Sequence, residues 1–181
     1  MATHKRQYDR SGKYVKITCT SDSGAGESVL PHDWFPEIKA QKSSESATTY
    51  ASADGSILQN KGRKTLEGYN AEGNKVRMEW QLAKVTKPLM SVGRLTDKGH
   101  RVIFDNSVPG GGVIVHKETG VKTPLRKRNG TYEFDVWVNV NENSKSVGAV
   151  CPGQGKLLPT KPLMSVGRLT DKGHRVTIYR S

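Results

Sequence analysis

Cysteine is scarce in this sequence. Only Cys19 and Cys151 occur in 181 residues, far apart and without a CxxC pair. That excludes the usual spacing of a structural zinc site and any disulfide framework, and it fits a reducing, cytoplasmic setting. Aromatic residues make up 7% of the chain and apolar residues 34%. The expected core is therefore modest, assembled from short apolar runs, and helped by an obligate partner. No apolar stretch approaches the ~20 residues of a membrane span, and MATHKRQYDRSGKY lacks the apolar segment of a signal peptide. A soluble, non-secreted protein with no membrane partner is expected.

Other absences narrow the chemistry. His4, His32, His100, His116 and His174 are scattered, with no HxxxH and no carboxylate at ligand spacing, so no metal site is expected. Gly110-Gly111-Gly112 lacks the Lys-Ser/Thr of a phosphate loop and leads into β-branched Val113-Ile114-Val115, which reads as a hairpin turn. Ser28 lies in GESVL rather than in a GxSxG elbow, and Cys19 has no histidine near it in sequence. Neither is expected to be a nucleophile, and no cofactor is implied.

Acidic residues are outnumbered. Lys plus Arg total 29 against 17 Asp plus Glu, a net charge of +12. The excess gathers at Lys5, Arg6, Arg10, Lys13 and Lys16, and again at Lys117, Lys122, Arg126, Lys127 and Arg128. Such clusters attract nucleic acid or acidic partners, but a solvated tail and a solvated hairpin are the favoured reading.

Alternation places strands along most of the chain. Tyr14 to Cys19 alternates as a half-buried strand, and Ser28-Val29-Leu30 is a short apolar segment ended by Pro31. Trp34 and Phe35 offer rings for packing. A polar loop spans 40–48. A meander follows: a strand over 49–53, a turn at Asp54-Gly55, a long strand over 56–69, a turn over 70–74 and a strand over 75–85. The segment from Pro88 to Gly99 reads as strand, Gly and a short helix capped by Gly99, before the apolar run Val102-Ile103-Phe104. Further strands are expected at 113–115 and 132–138. The sixteen residues KPLMSVGRLTDKGHRV recur unchanged at 87–102 and 161–176. Either a recent duplication or gene-model fault, or a strand-exchanging, dimer-contacting tail, accounts for the second copy.

Asp22-Ser23-Gly24 ends the first apolar strand. An aspartate at such a place suits water activation: Gly24 allows a tight turn that brings amides near the carboxylate, and Ser23 can bond a neighbouring loop. One loop supplies only half of an acid–base pair. Two carboxylates about 3 Å apart cannot both ionise, so they share a proton, one acting as base and one as acid.

DSGAGESVLP at 22–31, YASADGS at 50–56 and PLMSVGRLTDKGHRVIF at 88–104 occur in that order. Together they resemble the retropepsin-like aspartic protease region of retroviral and copia-like retrotransposon polyproteins, over roughly residues 14–104. The resemblance implies an all-β acid-protease barrel half with one short helix, and a homodimeric peptidase acting on a polyprotein substrate. Asp22, Ser23 and Gly24 would form the catalytic loop, Ala25 would contact substrate, and Ala53, Asp54, Gly55 and Ser56 would form the flap tip. Val92, Gly93 and Arg94 would be structural, with Glu27 a candidate partner for Arg94. The sequence departs from the family at Ser21, where an apolar residue is usual, and at the charged Asp54.

The expected organisation is a basic arm over 1–13, a protease domain over 14–104, a β-hairpin extension over 105–140, a linker over 141–160 and the duplicated segment over 161–181. The alternative function is an inactive, protease-like remnant that serves as a binding or nucleic-acid-associated module.

Overall fold

A computed structural model describes residues 7–8, 12–42, 49–52, 55–141 and 176–178. Most of the basic arm, of the linker and of the second repeat lies outside the described residues. Among the described residues the fold is mostly β-strand with one short helix element, and its centre is a closed six-stranded barrel.

Alternation builds the first stave. In β2 (Tyr14–Asp22), Val15, Ile17 and Cys19 are buried, while Tyr14 and Lys16 are half-exposed and Thr18 is exposed; this is the period-2 pattern of a strand with one face on a core. The strand runs three residues beyond the expected Cys19. Thr20 and Ser21 are buried as well, and the Ser21 hydroxyl has no hydrogen-bond partner among the described residues. Ser21 therefore does not shorten the strand.

The barrel wall runs from β2 through β8 (Leu89–Ser91), β3 (Val29–Pro31), β7 (Lys75–Ala83) and β6 (Arg63–Asn70) to β12 (Thr131–Asn139), which pairs back onto β2. β8 lies parallel to β2 and antiparallel to β3, wedged between them. β12 is antiparallel to β2 from Tyr132↔Ser21 to Asn139↔Tyr14. Its other edge is divided, with Val136–Val138 on β6 and Thr131–Glu133 on β11 (Lys122–Arg128). From β11 the sheet continues through β10 (Gly111–His116) and β9 (His100–Phe104) to β13 (Val176–Ile178). At the opposite edge, β1 (Gln7–Tyr8) pairs with β2.

Residues 105–140, expected as an extension after a boundary at 104, thus contribute a stave of the barrel. The physical reason is burial: Phe134, Val136 and Val138 project into the same core as Val15, Ile17, Leu66, Trp80 and Leu82. Without β12 that core would lie open to water.

Closure demands a close approach of strands at Gly68. A Cβ built there would lie 2.2 Å from the Trp137 carbonyl oxygen, so any side chain would push β6 and β12 apart.

The long strand expected over 56–69 is broken. β5 (Ile57–Gln59) pairs with β4 (Thr49–Ala51) in a separate two-stranded sheet, and β6 begins only at Arg63. Between them Gly62 sits at φ +111°, a conformation open to glycine alone. Buried Asn60 fastens the joint: its side chain donates to the Tyr50 hydroxyl and to Gln81 Oε1, both at 3.0 Å, and accepts from the Gly62 amide at 2.9 Å. β4 also ends at Ala51 rather than at 53.

Helix α1 (Val92–Asp97) follows β8 directly, and Gly99 at φ +78° ends the turn, as the sequence suggested. Gly110 forms the turn before β10, whereas Gly111 and Gly112 belong to that strand. The rings of Trp34 and Phe35 meet edge to face, 6.5 Å apart, with Phe35 buried. The buried Lys64 ammonium donates to both of their carbonyls.

Candidate active site

Asp22 is the last residue of β2, half-exposed, in register beside Ser91 at the end of the parallel strand β8. Chain direction explains its position. Two parallel neighbours deliver their C-terminal ends to the same rim of the barrel, so the 23–28 loop and the start of α1 meet there. The Gly24 amide turns back and donates to Asp22 Oδ1 at 2.8 Å. That is the amide-to-carboxylate contact expected of a tight turn after aspartate. Among the described residues no ion pair engages Asp22.

Two hydroxyls fix the loop. Ser91 Oγ donates to the Ala25 carbonyl at 2.6 Å and accepts from the Arg94 amide at 3.2 Å, so one side chain caps α1 and tethers the loop. Ser28 Oγ accepts from the Ser91 amide at 3.1 Å and contacts Met90 Sδ at 3.2 Å. The Arg94 guanidinium pairs with the Glu27 carboxylate, and Asp97 lies 3.9 Å away. Both ends of the loop are therefore bound to β8 and α1.

The structure thus sets the loop that starts at Asp22 against Ser91 and Arg94, through Asp22 beside Ser91, Ala25 bonded to Ser91 and Glu27 paired with Arg94; no bond joins Ser23 or Gly24 to Val92 or Gly93 among the described residues. Val92, the first residue of α1, is buried, whereas Gly93 is exposed, and a Cβ there would meet only Ser91 Oγ at 3.6 Å. Among the described residues, nothing demands glycine at 93. Ala53 and Asp54 lie outside the described residues. Gly55 and Ser56 sit in the turn of the β4–β5 hairpin, where the Gly55 amide donates to the Ser52 carbonyl at 2.9 Å and the Ser52 amide to the Ser56 carbonyl at 2.8 Å. The neighbouring Ile57 is 74% exposed, an unusual place for a large apolar side chain.

Sequence reasoning missed Ser91 as the organiser of the loop. The signal was present, since a serine directly before a helical segment is a capping residue. It also missed Asp135, on the outer face of β12. Asp135 accepts from Thr18 Oγ1 at 2.8 Å, from both Arg126 guanidinium nitrogens at 2.6 and 2.8 Å, and pairs with Lys16 Nζ at 3.0 Å. Burial works against its charge, but the hydrogen bonds from Arg126, Thr18 and Lys16 outweigh burial and hold the carboxyl well below the usual carboxylate range. The cluster ties β2, β12 and β11 together.

Cys19 is fully buried three residues before Asp22. Burial, with a smaller contribution from Asp135, pushes its thiol far up, which leaves it protonated and unreactive. Among the described residues no three His, Cys, Asp or Glu side chains are grouped to hold a metal, and no helix is long and apolar enough to cross a membrane. In comparisons with protein-family models, curated proteins and solved structures, nothing matches this chain.

Proposed function

We propose that this chain is one protomer of a retropepsin-like aspartic endopeptidase that acts as a homodimer on a polyprotein in the cytoplasm. The observation that carries the reading is the setting of Asp22: a half-exposed carboxylate outside any ion pair among the described residues, at the end of a strand paired with parallel β8, with Oδ1 held by the Gly24 amide. A carboxylate held at a rim can meet an identical one across a two-fold axis. The β4–β5 hairpin, separated from the barrel at Asn60 and Gly62, suits a flap over bound peptide.

The chemistry follows from the pair. One Asp22 carboxylate takes a proton from water as its oxygen attacks the scissile carbonyl carbon. The other, protonated, gives its proton to the carbonyl oxygen, and a tetrahedral diol forms. A proton then passes to the amide nitrogen, the C–N bond breaks, and acid and amine leave without an acyl-enzyme. Because the pair must hold one proton, cleavage is favoured at mildly acidic pH.

The test is cleavage of apolar-centred peptides by the purified chain, with pepstatin-type inhibition and the Asp22→Asn variant. Activity that disappears with Asp22→Asn and falls on dilution is the expected result. Activity untouched by that substitution refutes the reading.

A further inference from the structure

The second copy of the repeated sequence ends at Val176, the first residue of β13, and β13 pairs antiparallel with β9, the strand in which the first copy ends at Val102. The register is Val176↔Phe104, Thr177↔Ile103 and Ile178↔Val102. Val176, the last residue of the second copy, is the counterpart of Val102; Thr177 and Ile178 lie just past the repeat, in the places of Ile103 and Phe104 but with different side chains. Counted along the repeat, the backbone register is therefore symmetric about position 103, as in a strand paired with its own equivalent around a local two-fold axis, although only Val102 and Val176 are the same residue. The other edge of β9 is filled by β10, from Gly112↔Phe104 to His116↔His100. β13 thus occupies the one edge of β9 that could face another molecule.

A symmetric register is what an isologous contact between two identical strands requires. Carried outward, it sets Val102 opposite Phe104 of a second copy, Ile103 opposite its own counterpart, and exposed Arg101 opposite an aspartate, Asp105. An unpaired strand edge is a template for just such addition.

We propose that the β9 edge is a self-recognition edge, filled within the chain by β13 and, when β13 is displaced, by β9 of a second copy of this chain. The tethered strand acts at an effective concentration of about millimolar, so at micromolar protein the intramolecular cap wins. This contact is separate from the Asp22 pairing and does not depend on Asp22 being catalytic.

The test uses the full chain with Ile103→Cys and Cys151→Ser. Directly opposed Cα atoms in an antiparallel ladder lie about 4.5–5.5 Å apart, within the span of a disulfide. With β13 in place, mild oxidation gives a monomer on a non-reducing gel. Adding Val176→Pro and Thr177→Pro removes the donors of two successive residues, of which one must face β9. The expected result is a 103–103 disulfide-linked dimer, raised by roughly tenfold or more over the capped chain. If the prolines impair folding, judged by the near-ultraviolet dichroism of the core, Val176→Gly with Thr177→Gly weakens the strand more gently. A folded, uncapped chain that stays unlinked overturns the proposal. Loss of peptide cleavage leaves this readout unmoved, so the two ideas fail separately.

Discussion

Replacing Asp135 by Asn tests the clamp on the barrel wall. The carboxylate is 7% exposed and receives Thr18, both guanidinium nitrogens of Arg126, and Lys16. Asn keeps the volume but not the charge, and its amide nitrogen cannot accept from Arg126. Hydrogen bonds to a charged group contribute about 1.5–3 kcal/mol each. The loss is smaller than the sum, because the side chains of Lys16 and Arg126 are 28% and 51% exposed and recover water when released. Destabilisation of about 2–3 kcal/mol is expected, read as a shift in the urea midpoint followed by tryptophan fluorescence at neutral pH.

The same variant predicts a pH signature. The folded state holds the Asp135 carboxyl below its ordinary value, so the unfolded chain binds the proton more readily. Its stabilising contribution is complete above the unfolded carboxylate value of about 3.9, and is lost as pH falls through that value towards the depressed folded one. Wild-type stability should decline on acidification from about pH 5, and Asp135→Asn should flatten part of that decline. A variant within about 0.5 kcal/mol of wild type, with an unchanged acid slope, refutes the clamp.

Two further substitutions probe closure and the loop. Gly68→Ala places a Cβ against the Trp137 carbonyl, a backbone atom that cannot swing aside; a loss of more than about 3 kcal/mol, or failure to fold, should appear in soluble yield and near-ultraviolet dichroism. Ser91→Ala removes the α1 cap and the tether to Ala25. It should cost about 1–3 kcal/mol in urea unfolding and, for the peptidase proposed above, lower kcat more than it raises KM.

Much of this architecture is written in short-range pattern. Val15, Ile17 and Cys19 alternate with polar neighbours, and the Ser91–Gly99 stretch carries both its helix cap and its stop, so β2, α1 and β9 could be placed from local residues alone. The convergence of Asp22 with Val92–Arg94 was suggested by motif order. The break at Asn60–Gly62 was hidden because Ile57-Leu58-Gln59 continues into a strand-like run, and only side-chain bonds to Tyr50 and Gln81, distant in sequence, reveal a joint. Asp135 was concealed for a similar reason. A lone aspartate in an apolar strand says nothing about the Arg126 and Lys16 that reach it from two other strands.

The seam between β2 and β12 also sets an order of events during synthesis. Thr18 and Asp135 are joined across 117 positions of chain, and contacts of such long span form late and slowly. A growing polypeptide leaving the ribosome carries Asp22 well before it has the stave that shuts the wall behind it. The wall behind Asp22 cannot close until residues 131–139 have emerged and docked, so the barrel is completed well after the 22–24 loop has been translated.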